Sequence, residues 1–239
     1  MTIFMGIRTE QFVFAAIDTR ATIKNSDGPQ ETKEGSRKLY WLDNYNISFA
    51  TIGTVLKGEY IPSIDDHLRI GSYIIDKINN NNGTRKSYKQ IVNEIANVYS
   101  KTYNQQAYDG TSITMIFGCE PDGEPFLYEC RSPDFTPKMV KKNIALFRGS
   151  EEQEYKTQSI EVFRKLRGCW LRRVLKKENK INLQVWSKRT FDSISNNKYV
   201  GYPLLLNIIW SNGNQQKDTI SETNLSIKEE FNVKLKKLL

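Results

Sequence analysis

The chain has 239 residues, 38% of them hydrophobic and 26% charged, which suits one sizeable folded domain and excludes a disordered polymer. No apolar run approaches the roughly 18 residues that a membrane-spanning helix needs, and the N-terminus lacks the basic and apolar regions of a secretion signal, so the expected protein is soluble, cytoplasmic and without a membrane partner. The formal charge of +8 raises nucleic acid or an acidic protein surface as a partner. The bases crowd residues 164–180 and the C-terminus with Trp170 as the one aromatic in the first segment, not the interleaved series a stacking platform needs, so a solvated helix face is expected and nucleic acid is the less favoured reading.

In chain order, residues 2–8 and 11–18 read as two strands around a turn at Thr9-Glu10. The second, FVFAAID, is apolar almost throughout, as a strand covered on both faces must be. Residues 23–37 are polar and contain Asp27-Gly28-Pro29, an irregular excursion. KLYWLDN and NISFATIG follow as two more strands with a tight turn at Asp43-Asn44. Residues 63–80 and 86–106 carry apolar residues at helical spacing, Ile64, Leu68, Gly71, Ile75 and Ile78 in the first and Ile91, Ile95, Val98 and Tyr99 in the second. Ser63 and Asp66 suit the first helix start.

Strands resume at 111–118 and 125–131 around a hairpin turn containing Asp122-Gly123, and again at 143–148. Gly149-Ser150 and an acidic EEQE then open a long helix that ends in bases, complementing its dipole. Residues 183–196 read as a further helix and YPLLLNIIW, 202–210, as a buried strand. The two units expected are a domain over 1–212 and a polar tail over 213–239. Eight strands grouped around two helix pairs, with no βαβ alternation, predict an α+β fold, a four-layer αββα sandwich.

The chemistry available is narrow. There is one histidine, His67, beside Asp65 and Asp66, and three cysteines, Cys119, Cys130 and Cys169, whose spacing fits no zinc pattern. No metal or cofactor is expected, and the thiols read as free ones in a reducing compartment, although Cys119 and Cys130 are placed to face each other across a hairpin. Thr2 stands directly behind the initiator methionine. Removal of Met1 would make its hydroxyl a nucleophile and its own α-amine, with an ordinary pKa of about 7.7–8.0, the base. No histidine is needed.

The stretch TIFMGIRTEQFVFAAIDTRAT resembles the start of a proteasome β-type subunit, including the bacterial HslV-like N-terminal-nucleophile hydrolases. The resemblance implies Thr2 as nucleophile, Asp18 as the acidic residue, Arg20 as its supporting neighbour, and Lys38 at the head of KLYWLDN as the lysine that lowers the Thr2 hydroxyl pKa. Lys33 and Arg37 are rivals for that place. Gly53, about fifteen residues after Lys38, is implied as the oxyanion donor through its backbone N–H. LFRGSEE matches the family's Gly-Ser turn and implies Ser150 near the Thr2 amine. Asn197 stands where the family carries Asp, and Val200 where it carries Ser. Leu56, Lys57 and Tyr60 are candidates for the substrate pocket.

The function implied is a threonine endopeptidase acting on unfolded protein or peptides. The resemblance implies a homo-oligomeric ring, and any ATPase unfoldase that feeds it would be a separate protein, because no G-x-x-x-x-G-K-[ST] loop occurs in this chain. The alternatives are a catalytically inactive structural subunit, for which Asn197 and Val200 argue, and a nucleic-acid or acidic-partner binding protein using the basic segment.

Overall fold

The computed structural model describes residues 2–23, 31–33, 35–53, 64–80, 86–102, 111–149, 152–167, 180–194 and 201–235. Its first hairpin shows how local chemistry sets the framework. Strands β1 (Ile3–Arg8) and β2 (Phe12–Asp18) pair antiparallel, with Phe4 opposite Ile17 and Arg8 opposite Val13. Thr9 holds the turn: its Oγ1 accepts from the N–H groups of Gln11 and Phe12, and its own N–H donates to the Phe12 carbonyl at 2.8 Å.

Short strands β3 (Ala21–Ile23) and β4 (Glu31–Lys33) pair with each other. Next come β5 (Leu39–Leu42) and β6 (Ile47–Ile52), joined by a 3-10 turn over Asp43–Tyr45 that ends with Asn46 in the left-handed region. Helices α1 (Ile64–Asn79) and α2 (Tyr88–Thr102) follow. A reciprocal cap starts α2: the Ser87 N–H donates to Gln90 Oε1 at 2.8 Å and the Gln90 N–H donates to Ser87 Oγ at 3.3 Å.

The second half supplies β7 (Ile113–Cys119), β8 (Pro125–Arg131), β9 (Pro137–Met139) and β10 (Ala145–Gly149), then α3 (Glu152–Leu166). β11 (Lys180–Asn182) leads into α4 (Leu183–Ser193), whose first turn is capped by Asn182, its side chain accepting from the Val185 N–H. The chain continues through β12 (Leu204–Trp210), β13 (Gln215–Ile220) and β14 (Asn232–Lys234).

The strands form two five-stranded antiparallel sheets, in the orders β10-β1-β2-β12-β13 and β5-β6-β7-β8-β9, and two two-stranded sheets, β3-β4 and β11-β14. One apolar cluster joins the large sheets face to face through Phe4, Val13, Ile17, Leu39, Met115 and Phe117. A second lies between the first sheet and α3 and α4, with Phe12, Phe14, Tyr155, Phe163 and Trp186. A third sets Ile74, Ile91, Ile95 and Tyr99 of α1 and α2 against Tyr40, Phe49, Ile116 and Phe126 of the second sheet. This explains the unbroken apolar run of β2: Val13, Ala15 and Ile17 face the other sheet while Phe12, Phe14 and Ala16 face helices. Each buried phenylalanine contributes on the order of 1.5–3 kcal/mol.

The expected fold class is corrected by this element content. The chain is sheet-rich, with fourteen strands in antiparallel sheets against four α-helices among the described residues, rather than a four-layer αββα sandwich built on eight strands. The six unexpected strands, β3, β4, β9, β11, β13 and β14, are short or polar. Their ordering comes from pairing with a neighbour, which leaves no periodic signature in their own residues. β13, for example, is QQKDTI, and it forms the edge of the first sheet by pairing along β12 from Ile220↔Leu204 to Gln215↔Ile209.

The facing of Cys119 and Cys130 is also corrected. Both are free and buried. Cys119 lies opposite Pro125 and Cys130 opposite Thr114, and they belong to apolar clusters on opposite faces of the sheet. No helix among the described residues is long and apolar enough to cross a membrane.

One ion pair ties the two large sheets across their interface. Arg148 on β10 donates twice to Glu129 on β8, Nε to Oε1 at 3.0 Å and Nη2 to Oε2 at 2.9 Å, and Arg131 contacts the same carboxylate. Burial pushes the Glu129 carboxyl up, but hydrogen bonds and charge from Arg148 and Arg131 outweigh it and hold the group below its ordinary 4.5. A depressed folded pKa means that this stabilisation is fully present above the unfolded value and is lost as pH falls through the folded one. Glu129→Gln is therefore expected to cost about 1–2 kcal/mol near neutral pH. In urea unfolding the gap from wild type should close as the pH falls from the ordinary glutamate value through the lower folded one.

Candidate active site

β2 ends on Asp18, and three segments converge on its side chain. The carboxylate is fully buried. Its Oδ1 accepts from the Ile3 N–H at 2.9 Å, and its Oδ2 from the Arg20 N–H at 3.1 Å. Lys38 Nζ stands 3.3 Å from both oxygens. The ammonium also donates to the Arg20 carbonyl. Asp18 thus ties the residue next to Thr2, the chain leaving β2 and the start of β5 to one carboxylate.

The pair lies deep in the protein, with the Lys38 side chain 7% exposed and that of Asp18 0%. Burial pushes the Asp18 carboxyl up from its usual 3.8; the Lys38 charge and the Ile3 N–H oppose that rise. Lys38 gains a fixed position and an adjacent counter-charge from the contact. The sequence rivals differ in placement. Arg37 is exposed and lies over the rings of Tyr40 and Trp41 at 5.3 and 4.7 Å, and the side chain of Lys33 lies outside the described residues.

Thr2 is buried and immediately precedes β1. Opposite it, Gly149 ends β10 in register with Ile3. Its φ is +120°, and a Cβ there would fall 1.8 Å from the Thr2 carbonyl oxygen, so the start of β1 can occupy its place only beside glycine. Gly149→Ala is expected to cost more than about 3 kcal/mol, by backbone strain plus displacement of residues 2 and 3. Gly35 has φ +67° and open space around it, and Gly35→Ala should cost only about 1–2 kcal/mol. Urea unfolding of the two variants checks the difference.

Gly53 follows β6 with φ +85°, and a Cβ would meet the Thr111 carbonyl oxygen at 2.8 Å. A side chain is thereby excluded at the residue implied as oxyanion donor. Arg20 contributes to the cluster through both backbone groups. Ser150, Asn197, Val200, Leu56, Lys57 and Tyr60 lie outside the described residues, as do Cys169 and the side chain of His67.

Residues that the sequence does not single out complete the surroundings. Thr19 Oγ1 donates to the Pro203 carbonyl at 2.7 Å, its N–H donates to the Gly201 carbonyl at 3.3 Å, and its carbonyl accepts from the Ser36 N–H at 2.8 Å. These bonds fix the segments on either side of Asp18. Tyr155, in the first turns of α3, is fully buried with no hydrogen-bond partner for its hydroxyl among the described residues. The only sequence signal for Thr19 is its place between Asp18 and Arg20; Ser36 and Tyr155 carry none. No cluster of three or more metal-ligating side chains occurs among the described residues.

The fold is similar to that of Anbu. The solved structure is the Anbu (Gly-1) mutant from Hyphomicrobium sp. strain MC1, with a TM-score of 0.63 and 15% sequence identity, covering 97% of this chain and 90% of that one. Anbu is a proteasome-like protein. No family model matches the sequence, and no curated protein does. The resemblance to proteasome β-type subunits and HslV-like hydrolases is corrected accordingly. A likeness to Anbu at the level of the fold replaces family membership, and the sheet-rich element content departs from the sandwich that membership implied.

Proposed function

We propose that the chain is a threonine-type peptidase that uses Thr2 as its N-terminal nucleophile once Met1 is removed. The observation that carries this reading is the buried Asp18–Lys38 pair, held by the backbone N–H of the residue after Thr2. A buried ammonium fixed beside the head of β1 favours the alkoxide character that a threonine hydroxyl needs in order to attack.

The reaction then runs as acyl transfer. The Thr2 α-amine takes the hydroxyl proton as Oγ attacks the scissile carbonyl, and the new C–O bond gives a tetrahedral oxyanion facing the Gly53 N–H. Collapse breaks the C–N bond, the proton passes to the leaving amine, and an ester to Thr2 remains. Water, deprotonated by the same amine, hydrolyses that ester and restores the hydroxyl. Asp18 orients Lys38, and Arg20 fixes both through its backbone. Ser150 and Asn197 are the supporting residues the sequence offers for the amine.

Unfolded protein or peptide is the substrate class we assign, a closed homo-oligomeric ring the assembly, and a separate ATPase the feeder. The free thiols of Cys119 and Cys130 support a reducing compartment such as the cytoplasm. Intact mass and fluorogenic-peptide hydrolysis test the reading together: the active protein should lack Met1 and cleave peptides. A preparation that lacks Met1 and cleaves none would leave the inactive-subunit alternative.

A further inference from the structure

Arg8 ends β1 at the opposite end from Thr2, about 20 Å away for a six-residue strand. It is 7% exposed. Among the described residues its guanidinium has one polar contact, Nη1 at 2.7 Å from the Met139 sulfur, and Nε is buried without a partner. No carboxylate forms an ion pair with it among those residues. A buried guanidinium facing a thioether is costly, because a neutral sulfur returns little of the lost hydration.

The surroundings suit a visitor that supplies the missing charge. Residues 137–144, PKMVKKNI, bridge the edge strand β9 of one large sheet to the edge strand β10 of the other, and the Asn143 N–H seats this bridge on Arg8 by donating to its carbonyl at 2.7 Å. The bridge exposes Lys138 and Lys141. It also carries Met139 and Ile144, exposed by 42% and 37%, two of the four large apolar side chains exposed among the described residues. An unsatisfied buried cation at the end of β1, surface lysines and two apolar side chains thus gather where this bridge leaves the β9 edge.

We propose that this edge is a docking site for an acidic-apolar segment of a partner protein, with one Asp or Glu carboxylate reaching Arg8 and flanking apolar residues covering Met139 and Ile144. Charge complementarity selects the carboxylate, and the open edge of β9 offers backbone pairing to an extended segment. A nucleic acid is disfavoured: its phosphates lie on the outside of a polymer and need exposed bases, whereas this guanidinium is buried and its neighbours are apolar. The site is independent of the proposed chemistry at Thr2.

The probes are an end-capped peptide with one Glu flanked by leucines, its Gln twin, and single-stranded deoxythymidine decamer, each titrated against the full chain at low salt by fluorescence anisotropy. The Glu peptide should bind wild type about 10–100-fold more tightly than the Gln peptide does. Arg8→Met should erase that difference while melting at or above the wild-type temperature, which shows that it folds. Lys141→Glu, on the surface, should weaken the Glu peptide several-fold without altering the melt. No binding of the Glu peptide at about 1 mM, equal binding of the Gln twin, unchanged binding by Arg8→Met, or tighter binding of the decamer would each overturn the proposal.

Discussion

Asp18→Ala is expected to lower the unfolding free energy by about 3–5 kcal/mol, because it removes the carboxylate that faces the buried Lys38 ammonium. It also leaves the N–H groups of Ile3 and Arg20 without their acceptor. Lys38→Met should cost less. It leaves the Asp18 carboxylate with two N–H donors, and burial already pushes that carboxyl up, so the group can take up a proton. A raised folded pKa means that the native state holds the proton more tightly than the unfolded chain. The contribution of Asp18 to stability therefore falls as pH rises from the unfolded value through the folded one. The double variant Asp18→Leu/Lys38→Met should recover much of the single-variant loss, since a buried ion pair replaced by apolar groups is often neutral or stabilising. With the single variant Asp18→Leu added, urea unfolding of wild type, the two matching single variants and the double variant forms a double-mutant cycle. Additive losses would mean that the two groups do not act as a pair.

Thr2→Ala carries the largest expected effect on activity. In protein freed of Met1 it should cut peptide hydrolysis by at least about 10⁴-fold, as loss of a nucleophile does elsewhere, while costing only about 0.5–2 kcal/mol in urea unfolding, so that the protein stays folded. Thr2→Ser, which keeps the hydroxyl and the amine, should retain hydrolysis within about tenfold. A Thr2→Ala protein that still hydrolyses fluorogenic peptides at the wild-type rate sinks the assignment. Protein that retains Met1 should be inactive for a different reason, since its Thr2 nitrogen is an amide and cannot accept the proton. Mass measurement separates the two cases.

Much of the local framework was legible in the residues. Continuous apolar runs marked β1, β2, β7 and β12, because a strand covered on both faces has no polar positions. Amphipathic spacing marked α1 and α2, and the acid-to-base gradient marked α3. Polar strands such as β13 were not legible, because their order is conferred by the neighbour they pair with. That is also why the eight strands expected from the apolar segments gave way to a sheet-rich chain with fourteen among the described residues.

The sequence by itself determined which groups are available to the site: a threonine directly after Met1, an acid ending an apolar strand, a lysine opening another, and glycines after the strands. Tertiary structure alone decided their company. Lys38 rather than Arg37 meets Asp18 because Lys38 turns into the interior while the exposed Arg37 lies over the rings of Tyr40 and Trp41. Gly149 must be glycine because β10 brings it against the Thr2 carbonyl. Arg8, an ordinary strand-end residue in the sequence, becomes a buried cation because the 137–144 segment packs on it, with the Met139 sulfur at its guanidinium and the Asn143 N–H at its carbonyl. Each of these depends on contacts between residues far apart in the chain, and burial sets the energy of such contacts only once the fold is complete.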